Sequence, residues 1–492
     1  MEKRTVLWYM TFWGFALNSV YRMNINIAIV SMIKHPVKAS NVTLISECFQ
    51  HNTIIESNNN NSQVILPTKS NDDDKFEWDE HQQSIVLGAF FMLHMIMPIP
   101  GGILAQHYGG KYVFGLCNGL AAILSFAIPA SAKISYKALT GIRLIQGFIA
   151  GSTWPAMHTM TAKWIPKHER SWFVSAYIGN SVGTAVIYMT CGYLIDLYNW
   201  EIVFYLTGAI GLLWYICWTY FVYESPAVHP TITEEEKSYI ESSIGKQIKS
   251  SKPLPIPWKS LLSSKPLILN VLTSNGGMWG LFTISTQAPT YFNFVLGLSV
   301  KQTGFWAGLP YINRWIFAFG FSTFCDHLIK SKTMSVTNVR KLSTFFCNIL
   351  QGLLILGISF CGCNAIASIT MVTLTAIVNG CSASGVLAGS VDLAPNYAGI
   401  ILGLTSTFGV FAGFVSPIII GLFTYHQQTL GQWSKVFYIS SAICCSTGLL
   451  YILFANSEVQ KWNNKYDSDD IEKEMNDIKK KTNSNDQNST NN

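Results

Sequence analysis

The sequence predicts an all-α membrane protein, with twelve transmembrane helices in two pseudo-symmetric bundles of six. Three observations carry this. Of 492 residues, 49% are hydrophobic and only 12% are charged, against about 25% charged in a soluble domain. The apolar runs reach the roughly 18 residues that span a bilayer, and they recur along the chain. They also fall into two sets, separated by a polar stretch at 224–266.

Taken in order, the first apolar run covers Val6 to Ile33. Met1-Glu2-Lys3-Arg4 leads straight into it, and the run is too long for the apolar part of a cleaved signal. It carries Asn18, Arg22 and Asn26 at four-residue intervals, which places them on one helix face. A polar first loop, 34–80, follows. It contains the acceptor sequons Asn41-Val42-Thr43 and Asn60-Asn61-Ser62, so Asn41 and Asn60 are candidate glycosylation sites on an extracytoplasmic loop. Further spans are predicted at 81–106, 112–133, 138–160, 172–195 and 201–223, completing an N-terminal bundle over 1–223. The central loop, 224–266, holds Thr231 and Thr233 ahead of three glutamates, a capping pattern for a short surface helix. The second bundle, 267–455, contains spans at 267–296, 303–325, 341–361, 364–388, 397–423 and 433–455. Asn275-Gly276-Gly277 invites a local break in the seventh. The tail, 456–492, is charged and rich in Asn and Ser, the composition of a disordered segment.

Charge placement orients the chain. With both termini cytoplasmic, 22 Lys and Arg fall on the inner side and 8 on the outer, and Arg22, Arg143 and Arg314 lie within spans. Dropping the long first loop and the tail, which count for little in the positive-inside rule, leaves 16 against 4. Most of the eleven cysteines lie inside apolar runs as small core residues. Cys361-Gly362-Cys363, at a predicted loop, is placed to form a bridge.

The stretch from Arg143 to Ser171 carries most of the functional signal. An arginine opens an apolar segment, Gly147 and Gly151 follow at the spacing that lets helices approach closely, and Trp154-Pro155 and His158 precede a charged cluster. A guanidinium inside a bilayer costs about 2.5 kcal/mol or more, so it needs a wet cavity or a partner. Arg22 and Arg143 are therefore predicted to share one anion, since guanidinium is suited to bidentate oxyanion contacts. Arg314 is either an extra anion contact or a residue snorkelling to the interface. Trp279 and Tyr291 mark a seventh span that could line a path. Nothing resembling a Ser/His/Asp elbow, HExxH, Walker loop or DxD cluster stands at a span end, which argues against an enzyme. The arginines are not arrayed as the rings of a channel. No nucleic-acid partner, metal or cofactor is expected, and the chain is read as a monomer in the bilayer.

Motifs across Leu7 to Trp462 resemble the anion/cation symporter family of the major facilitator superfamily, which includes sialin, the vesicular glutamate transporters and the sodium–phosphate cotransporter-like proteins. The resemblance rests on Tyr21-Arg22-Met23-Asn24, Pro98-Ile99-Pro100-Gly101-Gly102, Arg143-Leu-Ile-Gln-Gly147, Trp154-Pro155-Ala156-Met157-His158, Trp164 to Ser171, Glu224-Ser225-Pro226 and Asp392 to Gly399. The turn from Gly102 to Lys111 looks like the superfamily's loop signature, and Ser322 to Lys330 occupies the equivalent place in the second half. The resemblance implies the major facilitator fold and symport of carboxylate or phosphate anions by alternating access, with H+ or Na+ as coupling ion. Arg22, Arg143, Asn18, Asn26, His158, Trp279 and Tyr291 are then candidate substrate contacts. Gly102, Lys111, Glu169, Arg170 and Asp326 are candidate cytoplasmic gating contacts. The chain departs from the family pattern at Ala150, where many members carry an acidic residue, and at Leu87, Gly277 and Ser390, where some carry His or Arg. Those departures leave room for two alternatives, a sensor that has lost coupling and a facilitated anion uniporter.

Overall fold

The structure is a computed structural model. It describes residues 2–34, 48, 75–166, 169, 173, 175–244, 257–394, 397–425 and 427–464. Among them the fold is helical throughout. The first column is α1 (Lys3–Met32), and the second is broken into α2 (Glu80–His94) and α3 (Pro98–Tyr108). Next come α4 (Gly110–Ile134), a fourth column split into α5 (Tyr136–Ala150) and α6 (Thr153–Trp164), α7 (Gly179–Leu197) and α8 (Trp200–Phe221). A surface helix, α9 (Glu234–Ile244), and a short α10 (Trp258–Leu262) lead into the second bundle. There the columns are α11 (Lys265–Thr290), α12 (Val300–Lys330), α13 (Val336–Thr344) running on into α14 (Gln351–Ile358), α15 (Ala365–Asn379) with α16 (Val386–Leu393), α17 (Ala398–Thr424) and α18 (Leu430–Phe454). Twelve columns in two sets of six result, as the hydropathy pattern predicts.

Three columns break for local reasons. The second bends by 48° at Met95–Met97, where Pro98 disfavours helix in the residue before it and Pro98 and Pro100 lack amide donors. The fourth breaks at Gly151-Ser152 and the tenth between Gly380 and Gly385, equivalent places in the two bundles. The seventh does not break where Asn275-Gly276-Gly277 suggests. α11 runs straight through, because those glycines serve packing: a Cβ at Gly276 would collide with the Thr447 side chain of α18, and one at Gly277 would lie 3.1 Å from Asn348 Oδ1. The irregularity comes later, as a wide π-turn at Tyr291–Val295 directly after Pro289.

The two ends of the bundle are built differently. On the face carrying the N-terminus and the central connection, Arg4 pairs with Glu169, with Glu2 at 2.9 Å and with Glu236 at 3.4 Å. Glu236 also accepts from the amides of Lys3 and Arg4, at 3.0 and 3.1 Å, so α9 caps the start of α1. Burial works against the charge of Arg4, but Glu169, Glu2 and Glu236 together hold its guanidinium above its ordinary value. Nearby, Glu224 accepts from the amides of Gly110 and Lys111, at 3.1 and 2.9 Å, capping α4, and pairs with Lys163 at 2.5 Å. Gly109 precedes that cap with φ +98°, where a side chain would be strained and would also meet the Glu224 carboxylate. The second bundle has a matching pair, Arg340 with Asp392 at 2.8 Å.

On the opposite face, which carries the first loop, the bundles interlock along two seams. α7 meets the start of α12, where a Cβ at Gly192 would lie 2.8 Å from the Val300 carbonyl oxygen. α2 meets the end of α17, where a Cβ at Gly413 would lie 2.7 Å from the Phe91 ring. A disulfide joins Cys48 of the first loop to Cys363 of the connection between the ninth and tenth columns. Of the two cysteines expected to bridge at 361–363, one does so, and its partner is in the other half of the chain; Cys361 stays a thiol. The candidate glycosylation sites Asn41 and Asn60 lie outside the described residues.

Two outcomes follow. With a protease site placed in the central connection at 245–256, the cleaved halves should migrate together on a non-reducing gel and separate on reduction; separation without reductant would rule out the cross-bundle bridge. A Gly147→Ala substitution, whose Cβ would strike the Phe90 carbonyl, should cost about 1–3 kcal/mol in overpacking, read as earlier thermal aggregation in detergent. Gly141→Ala, on the same helix with open space at its Cβ, should be silent.

Candidate functional site

Among the described residues, eight helices are apolar and long enough to cross a membrane outright, and the bent second column makes a ninth. The first, fourth and eighth columns fall short of that mark, and these three carry Arg22, Arg143 and Arg314. The described acidic residues of the spans sit near their ends, at Glu80, Asp196, Glu201, Asp326 and Asp392. No carboxylate is therefore available mid-span to balance the arginines, and other groups hold them.

Arg143, on α5, is fully buried. One terminal nitrogen donates to the Tyr21 carbonyl at 2.6 Å and to Gln146 Oε1 at 3.1 Å; the other donates to the Arg22 carbonyl at 2.8 Å. The guanidinium also lies 5.0 Å from the centre of the Phe90 ring, a cation–π contact. Arg143 thus binds two consecutive backbone carbonyls of α1. This differs from the expectation of two side-by-side anion contacts: its two terminal nitrogens are already engaged, and no surface is left for a ligand.

Arg22 keeps partial exposure. Its one recorded bond goes from a terminal nitrogen to Asn180 Oδ1 at 2.9 Å, and its Nε has no hydrogen-bond partner. Arg314 is also partly exposed, donating from Nε to Asn379 Oδ1 at 3.2 Å and reaching Ser181 Oγ at 3.5 Å. Arg22 and Arg314, from opposite bundles, therefore end on adjacent residues of α7. Immediately on the first-loop side the route is shut. Asn26 donates to Tyr188 Oη at 2.9 Å and to the Ser285 carbonyl at 3.3 Å, and Tyr188 donates to that same carbonyl.

The other expected contacts divide. Asn18 is buried on α1, in line with Arg22. Asn26 shares their face but closes the path between bundles instead of lining it. His158 is exposed on α6, with Nδ1 3.5 Å from Tyr177 Oη and its ring near Trp154. Trp279 and Tyr291 turn away. Trp279 donates to Ser440 of α18 at 3.2 Å, and Tyr291 packs on Trp433 and Phe437 at 5.2 and 5.4 Å, within the second bundle. The expected gating residues make contacts within the N-terminal half. Gly102 faces Pro155, Lys111 sits 4.5 Å over the Tyr223 ring, and Glu169 binds Arg4 and accepts from Tyr239 Oη at 2.9 Å. Asp326 is exposed, and Arg170 lies outside the described residues. Asn180, Ser181, Tyr188, Ser285 and Asn379 were not singled out by sequence. Their only signal is polarity inside apolar runs, which membrane helices show at many positions.

Comparison with known proteins adds identity to this geometry. The model of the Major Facilitator Superfamily matches residues 11–417. Sialin of Ovis aries is 33% identical over 455 residues, covering 92% of this chain and 89% of that protein. Vesicular glutamate transporter 1 of Xenopus tropicalis is 30% identical over 466 residues, covering 94% of this chain and 76% of that protein. Among solved structures, a bacterial homolog of the human lysosomal transporter Spinster superposes with a TM-score of 0.65 at 12% identity, covering 92% of this chain and 96% of that one.

The two N-terminal arginines should separate by experiment. Arg143→Gln strips charge-assisted bonds from buried carbonyls and should lower stability by on the order of 2 kcal/mol, seen as a drop in detergent melting temperature. Arg22→Gln, which gives up a single recorded bond, should melt close to the parent. Equal melting of both variants would refute the division.

Proposed function

The chain belongs to the major facilitator superfamily, and on that premise we propose that it carries a small organic or inorganic anion across the membrane by alternating access, with Arg22 as the first contact for the negative group. It is an integral, multi-pass membrane transporter and not an enzyme. The observation that carries the anion reading is a partly exposed guanidinium within a span, its Nε without a partner, with no mid-span carboxylate among the described residues. A lipid-facing charge would be unstable, so a guanidinium in that position implies a ligand or water path. One relative's name gives glutamate as its cargo, and the family resemblance extends the class to carboxylates and phosphate.

Arg143 supports the site by fixing the backbone that presents Arg22. The arrangement corresponds to one stage of a transport cycle, parted at the face of the termini and sealed by Asn26, Tyr188 and Ser285 at the other. Gly102, Lys111, Glu169, Arg170 and Asp326 are proposed to act at the opposite stage, when that face closes. The excess of Lys and Arg supports a cytoplasmic assignment for the face of the termini. The Cys48–Cys363 bridge supports an oxidising, extracytoplasmic environment for the other, whether in the plasma membrane or in a vesicular or lysosomal one. For H+-driven symport, His94 and His158 are the titratable groups near the path through which coupling would run; Ala150, buried at 2% exposure, offers none. A second reading, a sensor with transporter architecture, draws on the residues absent at Ala150 and Gly277.

Purified protein in liposomes should accumulate at least one of phosphate, urate, sialate and glutamate under an imposed H+ or Na+ gradient or membrane potential, and Arg22→Gln should reduce initial uptake by about a hundredfold, the loss of one strong charged contact. Binding without accumulation would favour the sensor, and parent-like uptake by Arg22→Gln would overturn the site.

A further inference from the structure

A groove runs between α12 and α13 on the outside of the second bundle. Phe317, Gly320, Phe321 and Phe324 of α12 line one side, and Leu342 of α13 and Phe346 of the π-turn that continues it line the other, around a space of about 630 Å3. That size falls within the roughly 300–1,000 Å3 of small-ligand sites. The floor is open because Gly320 has no side chain: a Cβ there would meet nothing within 4 Å. The groove is not part of the path between the bundles. α12 turns Gly304 and Gly308 to α7 and Arg314 to Asn379 of α15. Ile316 stands about 200° round the helix from Arg314, and Gly320 and Phe324 follow it at four-residue intervals. All three are exposed. In a membrane such a face meets hydrocarbon.

Depth and charge identify the occupant. At 1.5 Å per residue, the stretch from Ile316 to Phe324 lies about 9–21 Å from Lys330, the last residue of α12. A lipid chain entering from the leaflet on that side reaches this depth, since the hydrocarbon is about 30 Å thick. That end of α12 is on the face of the termini, where the amide of Ser457, at the start of the tail, donates to Thr337 of α13 at 3.3 Å. Lys330 and Lys332 stand at the turn between the two helices, and Lys341 directly precedes Leu342. Among the described residues none of these three lysines is in an ion pair, whereas Arg340 is taken by Asp392. Asp326 follows Phe324 by two residues, roughly 200° round the helix and so on another side. An apolar groove with unpaired ammonium groups at its headgroup end is complementary to a lipid of net negative charge.

We propose that this groove is a binding site for an anionic phospholipid, with one acyl chain between α12 and α13 and the phosphate headgroup held by Lys330, Lys332 and Lys341. A zwitterionic lipid would fill the groove without favouring the lysines, and a sterol has no phosphate to offer them. The site is separate from the anion path, and its test needs no transport.

Full-length protein is placed in phosphatidylcholine liposomes with a trace of phosphatidylserine carrying a photoreactive diazirine on one acyl chain, and the adducts formed on illumination are mapped by peptide mass spectrometry. Adducts should concentrate at 316–324 and 342–346, and unlabelled phosphatidylserine should compete about tenfold or more better than added phosphatidylcholine or cholesterol. Gly320→Leu, which fills the open floor, should remove these adducts while melting as the parent does and keeping adducts elsewhere. Lys330→Gln, Lys332→Gln and Lys341→Gln together should keep the adducts but lose the preference for phosphatidylserine. Adducts spread evenly over the lipid-facing helices would mean solvating lipid only and overturn the site. Equal competition by phosphatidylcholine, or better competition by cholesterol, would overturn the anionic assignment, as would an unchanged preference in the lysine variant. Persistence of the adducts in Gly320→Leu would place the chain elsewhere. None of these outcomes bears on anion flux, so the transport reading stands or falls separately.

Discussion

The central constraint in this protein is the holding of three guanidinium groups in an apolar interior that has no carboxylate at their level among the described residues. Charge in such a place is tolerated only with dense hydrogen bonding, an aromatic face or access to water. Arg143 takes the first two, gripping the Tyr21 and Arg22 carbonyls and lying over Phe90. Arg22 and Arg314 keep partial exposure and amide partners. Their helices are polar enough to fall below the apolar mark that most of the other columns meet.

The two faces are held together by different chemistry. The closed face uses glycines along the seams between α7 and α12 and between α2 and α17, so that backbones approach and dispersion forces act over a long contact. The same face has a covalent link between the halves through Cys48 and Cys363. The face of the termini is organised by ion pairs at helix ends: Arg4 with Glu169 and Glu236, Lys163 with Glu224, Arg340 with Asp392. These pairs leave each half free to move as a unit, since none of them crosses between bundles.

Several features were legible because membrane insertion punishes exceptions. A charge inside an apolar run stands out, so Arg22, Arg143 and Arg314 were visible. The glycine spacing at Gly147 and Gly151 also identified a close contact, against Phe90 and His94 of α2. Trp279 and Tyr291 were misassigned to the path because residue type does not tell which side of a helix faces a cavity. The pairing of arginines was misjudged for the same reason. Arg143 and Arg22 share a bundle, but the terminal nitrogens of Arg143 go to the Tyr21 and Arg22 carbonyls and to Gln146.

By itself, the sequence determined the number of columns, their division into two sets, and which polar residues must be sheltered, because hydropathy over about twenty residues is a one-dimensional property set by bilayer thickness. Only the tertiary structure decided which guanidinium is bound to backbone, where the bridge from Cys48 ends, and which residues seal the face of the first loop. Those depend on the rotation and depth of each helix against its neighbours, settled by packing between segments hundreds of residues apart.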